Sequence, residues 1–197
     1  MRLWWAVRRP WYVLAAVAVY GVLLLAVRDE LVQVPAVTLA GGAGIKLAVF
    51  LPLLVCVAQL LCLERRLEAA EVTAVRPVVR ADRGMLALVG VAVLALGALL
   101  HRYAEVGAAL ASGRNVLLLL GLALVVRHWY GATAASAVVT AVLFGCAMVG
   151  LRATDDPYPW AVPLEPWDRP HAAVFSVLVF AVGVVLCGRE RRRVPRT

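Results

Sequence analysis

Six apolar runs, separated by short arginine-bearing segments, leave this chain few ways to fold. They lie at residues 10–27, 45–63, 85–100, 106–126, 131–151 and 172–188. Inside a hydrocarbon layer every backbone N–H and C=O must find a partner within the protein, and a helix supplies those partners locally. A hydrocarbon core of about 30 Å needs roughly 20 apolar residues per helix, so several of these runs must borrow flanking residues to cross. Hydrophobic residues make up 63% of the chain and charged residues 16%, with a mean hydropathy of +0.88, beyond the range of a soluble domain. The pattern predicts an all-α, polytopic membrane bundle of six transmembrane helices, a single domain over 1–197 with almost nothing outside the bilayer.

Arginine placement orients that bundle. Arg2, Arg8 and Arg9 precede the first run, Arg65, Arg66, Arg76, Arg80 and Arg83 follow the second, and Arg127 follows the fourth. A last cluster, Arg189, Arg191, Arg192, Arg193 and Arg196, follows the sixth. With both termini cytoplasmic, every one of these clusters falls inside, as the positive-inside bias requires. The alternate segments are poorer in net positive charge. In 152–170 the acids Asp155, Asp156, Glu165 and Asp168 outnumber Arg152 and Arg169.

A net charge of +8 and a pI near 10.0 then need no nucleic-acid partner, because anionic lipid at the cytoplasmic leaflet is a sufficient counterion. Lys46 is the single lysine against nineteen arginines, a bias typical of high-GC bacterial genomes, so the expected location is a bacterial plasma membrane. The N-terminal run is as long as a span and lacks a clear small-x-small site, so it is not read as a cleavable signal peptide. Trp4, Trp5, Trp11 and Tyr12 sit where an interfacial segment would place its aromatic rings. Cys56, Cys62, Cys146 and Cys187 all fall within apolar runs, without Cys-x-x-Cys spacing, and read as small hydrophobes.

Two hydrophilic segments are longer than a connector needs. The cytoplasmic one, 64–84, is helix-permissive up to Pro77, with Glu64, Glu68 and Thr73 set against Leu67, Ala70, Ala74 and, more loosely, Val75. Helix–helix connections usually run about 2–8 residues, so this one has length to spare for an amphipathic docking helix; a solvated connector is the alternative. The outer one, 152–170, carries prolines at 157, 159, 163, 166 and 170, which forbid a long regular helix. Trp160 and Trp167 suit the outer interface, and Asp155 and Asp156 supply its acids. An interfacial cap over the last two spans is the favoured reading, with a cargo-binding loop the other.

Polar residues at membrane depth are few. Arg114 and Asn115 open span four, Glu105 stands just before it, and Gln59 lies deep in span two. A lipid-facing Arg114 would cost about 2.5–3.5 kcal/mol at the bilayer centre, so it should face the bundle or snorkel outward. Its expected partners are Glu105, an acidic residue of the outer loop such as Asp155 or Asp156, or an anionic group on cargo. Gln59 is expected to hydrogen-bond between helices. Thr133, Ser136 and Thr140 can bond back to their own helix, and Gly90, Gly97, Gly121, Gly145 and Gly150 read as packing residues.

Catalytic motifs do not fit. An intramembrane serine protease needs Gly-x-Ser-Gly and a histidine within its last helix, whereas here Leu110-Ala111-Ser112-Gly113 lacks the first glycine and His171 sits at a span's end. No His-Glu-x-x-His occurs for a metal, and no Gly-x-x-x-x-Gly-Lys-Ser/Thr loop occurs for a nucleotide. No catalytic residue, cofactor or metal is expected, and any energy from ATP must come through another chain.

The layout is two spans, a cytoplasmic helical loop, four more spans and a long outer loop between the last two. Within it stand Glu71-Val72-Thr73-Ala74-Val75-Arg76-Pro77 and Gly113-Arg114-Asn115, the latter followed by the apolar stretch 117–124. This resembles the membrane subunit of ABC-2-type transporters, in particular small six-span actinobacterial permease-like proteins. The resemblance implies an exporter permease acting as a dimer with an identical or homologous subunit, served by a separate cytoplasmic P-loop ATPase. It also implies that 64–84 is the coupling element, with Glu68, Glu71, Thr73, Arg76 and Pro77 as contacts. The chain departs from the family in its shorter length and its proline-rich outer loop. Two other classes fit the span count: a substrate-capturing S-component of an energy-coupling importer, and a non-transporting scaffold or immunity protein.

Overall fold

The computed structural model describes residues 9–34, 43–64, 78–152 and 156–187. Six α-helices occur among them: α1 (Trp11–Val27), α2 (Pro52–Glu64), α3 (Val78–Tyr103), α4 (Ala109–Tyr130), α5 (Ala132–Val149) and α6 (Pro170–Leu186). Four helical stretches are long and apolar enough to cross a membrane: Leu47–Glu64, Val79–Tyr103, Ala109–Tyr130 and Ala132–Val149. Helices α1 and α6 are shorter, at 17 residues each.

Between α1 and α2 the chain forms an antiparallel hairpin of β1 (Leu31–Val34) and β2 (Ala43–Lys46), with Leu31 opposite Lys46 and Val34 opposite Ala43. The span pattern did not predict this element. Residues 45–49 are apolar enough to read as membrane helix, but Val32, Val34 and Ile45 suit a pleated pair and Gly44 tolerates one. The helical path therefore starts with a 3-10 turn at Leu47–Val49, and α2 proper begins at Pro52, a residue well suited to a first helical turn. Span three differs in the other direction: α3 starts at Val78, seven positions before residue 85, where the apolar run begins. Arg80, Asp82 and Arg83 end a hydropathy run, yet none of them breaks a helix.

Helix α4 is the axis. In its apolar stretch 72% of residues are buried, against 28% in that of α5, so the remaining helices wrap it. Close approach depends on residues without side chains. A Cβ at Gly97 would stand 2.8 Å from the Ala109 carbonyl oxygen, and one at Gly113 3.0 Å from that of Val93, which locks α3 to α4. About two turns further along α4 a Cβ at Gly121 would meet the Phe180 backbone at 2.6 Å, and one at Gly183 the Gly121 oxygen at 2.7 Å. Backbones that close gain dispersion contacts along both helices, as membrane bundles require without a hydrophobic drive between helices.

The surface is inverted relative to a soluble protein. Leu14, Val22, Leu88, Val91, Val174 and Leu178 are exposed, while Gln59, Ser112, Arg114, Asn115 and Arg127 are buried. Such an exterior suits lipid.

Hydrogen bonds between helix ends fix the direction of each helix. Arg127, in the last turn of α4, donates to the Leu63 carbonyl at the end of α2. Arg83, near the start of α3, donates from Nε and Nη2 to the Val184 and Val185 carbonyls in the last turn of α6. Both arginines satisfy carbonyls that a helix terminus leaves without partners, and their charge complements the negative pole there. One end of the bundle thus gathers the ends of α2, α4 and α6 with the start of α3. The other end, here the hairpin end, gathers the end of α1, the hairpin, the start of α4 and the loop before α6. Successive helices alternate in direction.

Candidate functional site at the hairpin end

Prolines create the need that organises this site. Pro163 and Pro166 have no N–H to donate, so the loop from 156 to 169 carries more buried carbonyls than its own backbone can satisfy. Helix α4 supplies the missing donors. Arg114 donates from Nη1 to the Pro166 oxygen at 3.0 Å, and from Nη2 to those of Val162 at 2.9 Å and Glu165 at 2.7 Å. Asn115 adds a bond from Nδ2 to the Pro163 oxygen at 2.7 Å, and its Oδ1 accepts from Arg114 Nη2 at 3.3 Å. Four of the five carbonyls from Val162 to Pro166 are held by two adjacent side chains. The guanidinium fork fits this task because it presents several donors in fixed directions.

Arg114 therefore faces the bundle, as expected, but its acceptors are loop carbonyls rather than the carboxylate of Glu105 or Asp156. Glu105 is exposed on the turn after α3 and adopts a left-handed backbone with φ 55°. Asp156 is exposed, and its carbonyl accepts from the Arg152 N–H. Asp155 lies outside the described residues. Among the outer-loop acids the one the sequence did not single out is Glu165, which is buried beside Arg114 and Asn115, with Arg169 Nε at 3.7 Å and His171 Nε2 at 3.6 Å from its carboxylate. Its sequence signal was weak, since every acid of 152–170 looks alike until the turn at Val162–Leu164 directs this one inward.

A second tie crosses the hairpin end. Asp29 follows α1; its Oδ1 accepts from Lys46 Nζ at 2.6 Å and its Oδ2 from the Gly107 N–H at 3.0 Å. One carboxylate thus joins α1, the hairpin and the entry to α4. Partial burial pushes its pKa up, but the Lys46 hydrogen bond, the Gly107 and Ala108 backbone N–H groups and the Lys46 charge outweigh that, leaving it below the ordinary carboxylate value. Beneath lies a third link: the Tyr20 hydroxyl donates to Ser112 Oγ at 3.0 Å, which donates to the Ala48 carbonyl at 2.9 Å. The Ser112 proton is committed to a backbone acceptor, which fits a structural hydroxyl and not a nucleophile.

A cavity of about 250 Å³ opens among these ties, lined by the hairpin, the first turns of α4 and the 163–167 segment. Trp167 stands at its rim, half-exposed, with its ring 5.0 Å from that of His101. Trp160 is exposed and stacks near Tyr158 at 6.0 Å. Arg114, Asn115 and Trp167 are thus brought together, while Gln59 lies apart in α2. Gln59 is fully buried, and neither its Oε1 nor its Nε2 has a hydrogen-bond partner among the described residues. Ser136 bonds back to the Thr133 carbonyl at 2.8 Å within α5.

Glu68, Glu71, Thr73, Arg76 and Pro77, expected from the sequence to form a coupling element, lie outside the described residues. Among the described residues no group of three or more histidine, cysteine or acidic side chains could hold a metal ion. No family model matches the chain, and neither a curated protein nor a solved structure matches it.

Proposed function

We propose that this chain is the membrane-spanning permease subunit of an ABC-type exporter, acting as a dimer with a cytoplasmic P-loop ATPase in a bacterial plasma membrane. Six spans with both ends cytoplasmic follow if α1 and α6 extend into the bilayer interface. One observation carries the reading. Segment 65–77 leaves from Glu64 and re-enters at Val78, and both junctions adjoin arginine ties: Arg127 to Leu63, and Arg83 to Val184 and Val185. A push on that segment would reach α2, α3, α4 and α6 through hydrogen bonds, as a coupling element requires. Nucleotide bound by the partner would then shift the dimer between inward- and outward-open states. Pull-down of the tagged full chain from its own membrane tests this, and a P-loop ATPase should be recovered with it. The Glu71→Ala/Arg76→Ala double variant should insert normally yet lose co-purification or export; full association and export in that variant would reject the coupling role.

The cavity at the hairpin end favours a second reading, a substrate-capturing subunit of an energy-coupling importer. Purification separates the two: an ATPase partner that binds directly to 65–77 supports the permease, whereas a small molecule retained at stoichiometric amount supports capture.

A further inference from the structure

The cavity at the hairpin end has a size, a charge balance and a polar floor that together describe a ligand. We propose that it binds a small, uncharged, water-borne amide or alcohol with a compact apolar body. This assignment holds for a permease or a capture subunit alike and needs only that the hairpin end faces water.

Size comes first. At about 250 Å³ the cavity falls below the roughly 300–1,000 Å³ of sites for drug-sized molecules, so a single ring or short branched chain fills it. Its walls are apolar, from Ile45 and Val49 on one side to Leu151 and Leu164 on the other. Charge comes next. Lys46 is paired with Asp29 at 2.6 Å. Glu165 is flanked by Arg169 and His171 and interacts electrostatically with Arg114. Each charge on the wall has its counter-charge in place, so an ionic ligand would lose hydration without gaining a free partner.

Asn115 forms the floor and is fully buried. A carboxamide has two N–H donors and two acceptor lone pairs. One donor serves Pro163 and one lone pair serves Arg114, which leaves one of each. A primary amide or a hydroxyl returns that pair reciprocally; a hydrocarbon cannot, and a carboxylate or ammonium offers only half of it. The route in is aqueous. Lys46 and Asp29 are both partly exposed beside the cavity, and a half-hydrated ion pair belongs in water rather than among acyl chains.

The test uses the full chain in lipid nanodiscs with three probes of one shape: benzamide, benzoate and benzylammonium. Equilibrium dialysis should give saturable benzamide binding at least about tenfold tighter than either ion, since each ion would be desolvated without a free counter-charge. Two variants fill the cavity. Ala111→Phe does so from α4, and Gly44→Trp from the hairpin, where an added Cβ would meet only the Gln33 and Leu31 side chains at 3.8 and 3.9 Å. Gly44→Trp keeps the test decisive if Ala111→Phe fails to fold. Either folded variant should abolish saturable benzamide binding. Equal retention of the three probes, absence of saturable binding, or benzamide uptake untouched by Gly44→Trp would overturn the proposal. So would a lipid recovered stoichiometrically from the wild type and absent from Gly44→Trp.

Discussion

Arg114 shows how one buried cation at a helix start can be held by hydrogen bonds to backbone carbonyls, with the Glu165 carboxylate acting on it only through its charge. Its donors meet the Val162, Glu165 and Pro166 carbonyls; the loop backbone itself reaches the first and last only through long bonds, from the Glu165 N–H at 3.3 Å and the Arg169 N–H at 3.4 Å. An ammonium at that position cannot span the three acceptors, so Arg114→Lys should behave as a damaging change. Each buried polar group left unsatisfied costs about 1–3 kcal/mol, so Arg114→Gln should destabilise by about 3 kcal/mol or more. Thermal unfolding in detergent, with the exposed Arg102→Gln as the reference, checks this; equal midpoints for the two would reduce Arg114 to a surface anchor. Asp29 gives a pH signature of opposite origin. Its folded-state pKa is depressed, so its contribution is fully present above the unfolded carboxylate value of about 3.9 and is lost as pH falls through the lower folded value. Midpoints measured between pH 3 and 6 should fall more steeply toward acid for the wild type than for Asp29→Asn. Parallel curves would mean the Lys46 and Gly107 contacts do not hold in solution.

At the scale of elements, glycines separate contacts that matter from those that do not. Gly121 and Gly183 bring α4 and α6 to backbone contact, so Gly121→Leu must force the two helices apart and should abolish recovery of folded protein. Gly145 was grouped with the packing glycines in the sequence, yet a Cβ there would meet nothing within 4 Å. Gly145→Ala should be neutral or stabilising by up to about 1 kcal/mol, because helix interiors prefer alanine. A clear midpoint loss in Gly145→Ala, or folded Gly121→Leu recovered at the wild-type level, would contradict this assignment. The same contrast measures what the sequence made legible. Apolar runs long enough to count as helix were plain in composition, and α4, α5 and α6 start or end within a few residues of the runs that announced them. Arg114 and Asn115 were conspicuous because charge at membrane depth is costly. What stayed hidden depends on contacts distant in sequence: the hairpin, whose apolar strand residues resemble the opening of a span, and Asp29, whose role exists only because Lys46 and Gly107 come to it. Pairing of that kind has no periodicity, and Glu165 was missed for the same reason.

For the whole molecule, the alternation of helix direction turns orientation into a single binary question. Arg127 at Leu63 and Arg83 at Val184 and Val185 gather one end, and Asp29, Lys46, Gly107 and Arg114 gather the other. A 17-residue helix spans about 26 Å at 1.5 Å per residue, a little less than a hydrocarbon core of about 30 Å, so α1 and α6 cross only with help from their flanks. The 26-residue α3 has length to spare, and tilting absorbs it. If the positive-inside bias governs, the hairpin end lies outside and the end carrying Arg83 and Arg127 lies inside. Single cysteines can read this out once Cys56, Cys62, Cys146 and Cys187 are replaced. Ser112 is too buried to report, but Tyr103 and Asp168 are exposed at the hairpin end and Tyr130 at the other. In intact cells a membrane-impermeant maleimide should modify Tyr103→Cys and Asp168→Cys and spare Tyr130→Cys and Thr73→Cys until the membrane is opened. The reverse pattern would invert the protein and put segment 65–77 outside, where no cytoplasmic ATPase could reach it. Labelling of Tyr103→Cys and Tyr130→Cys alike in sealed cells would instead break the alternation, and with it the proposed six-span bundle.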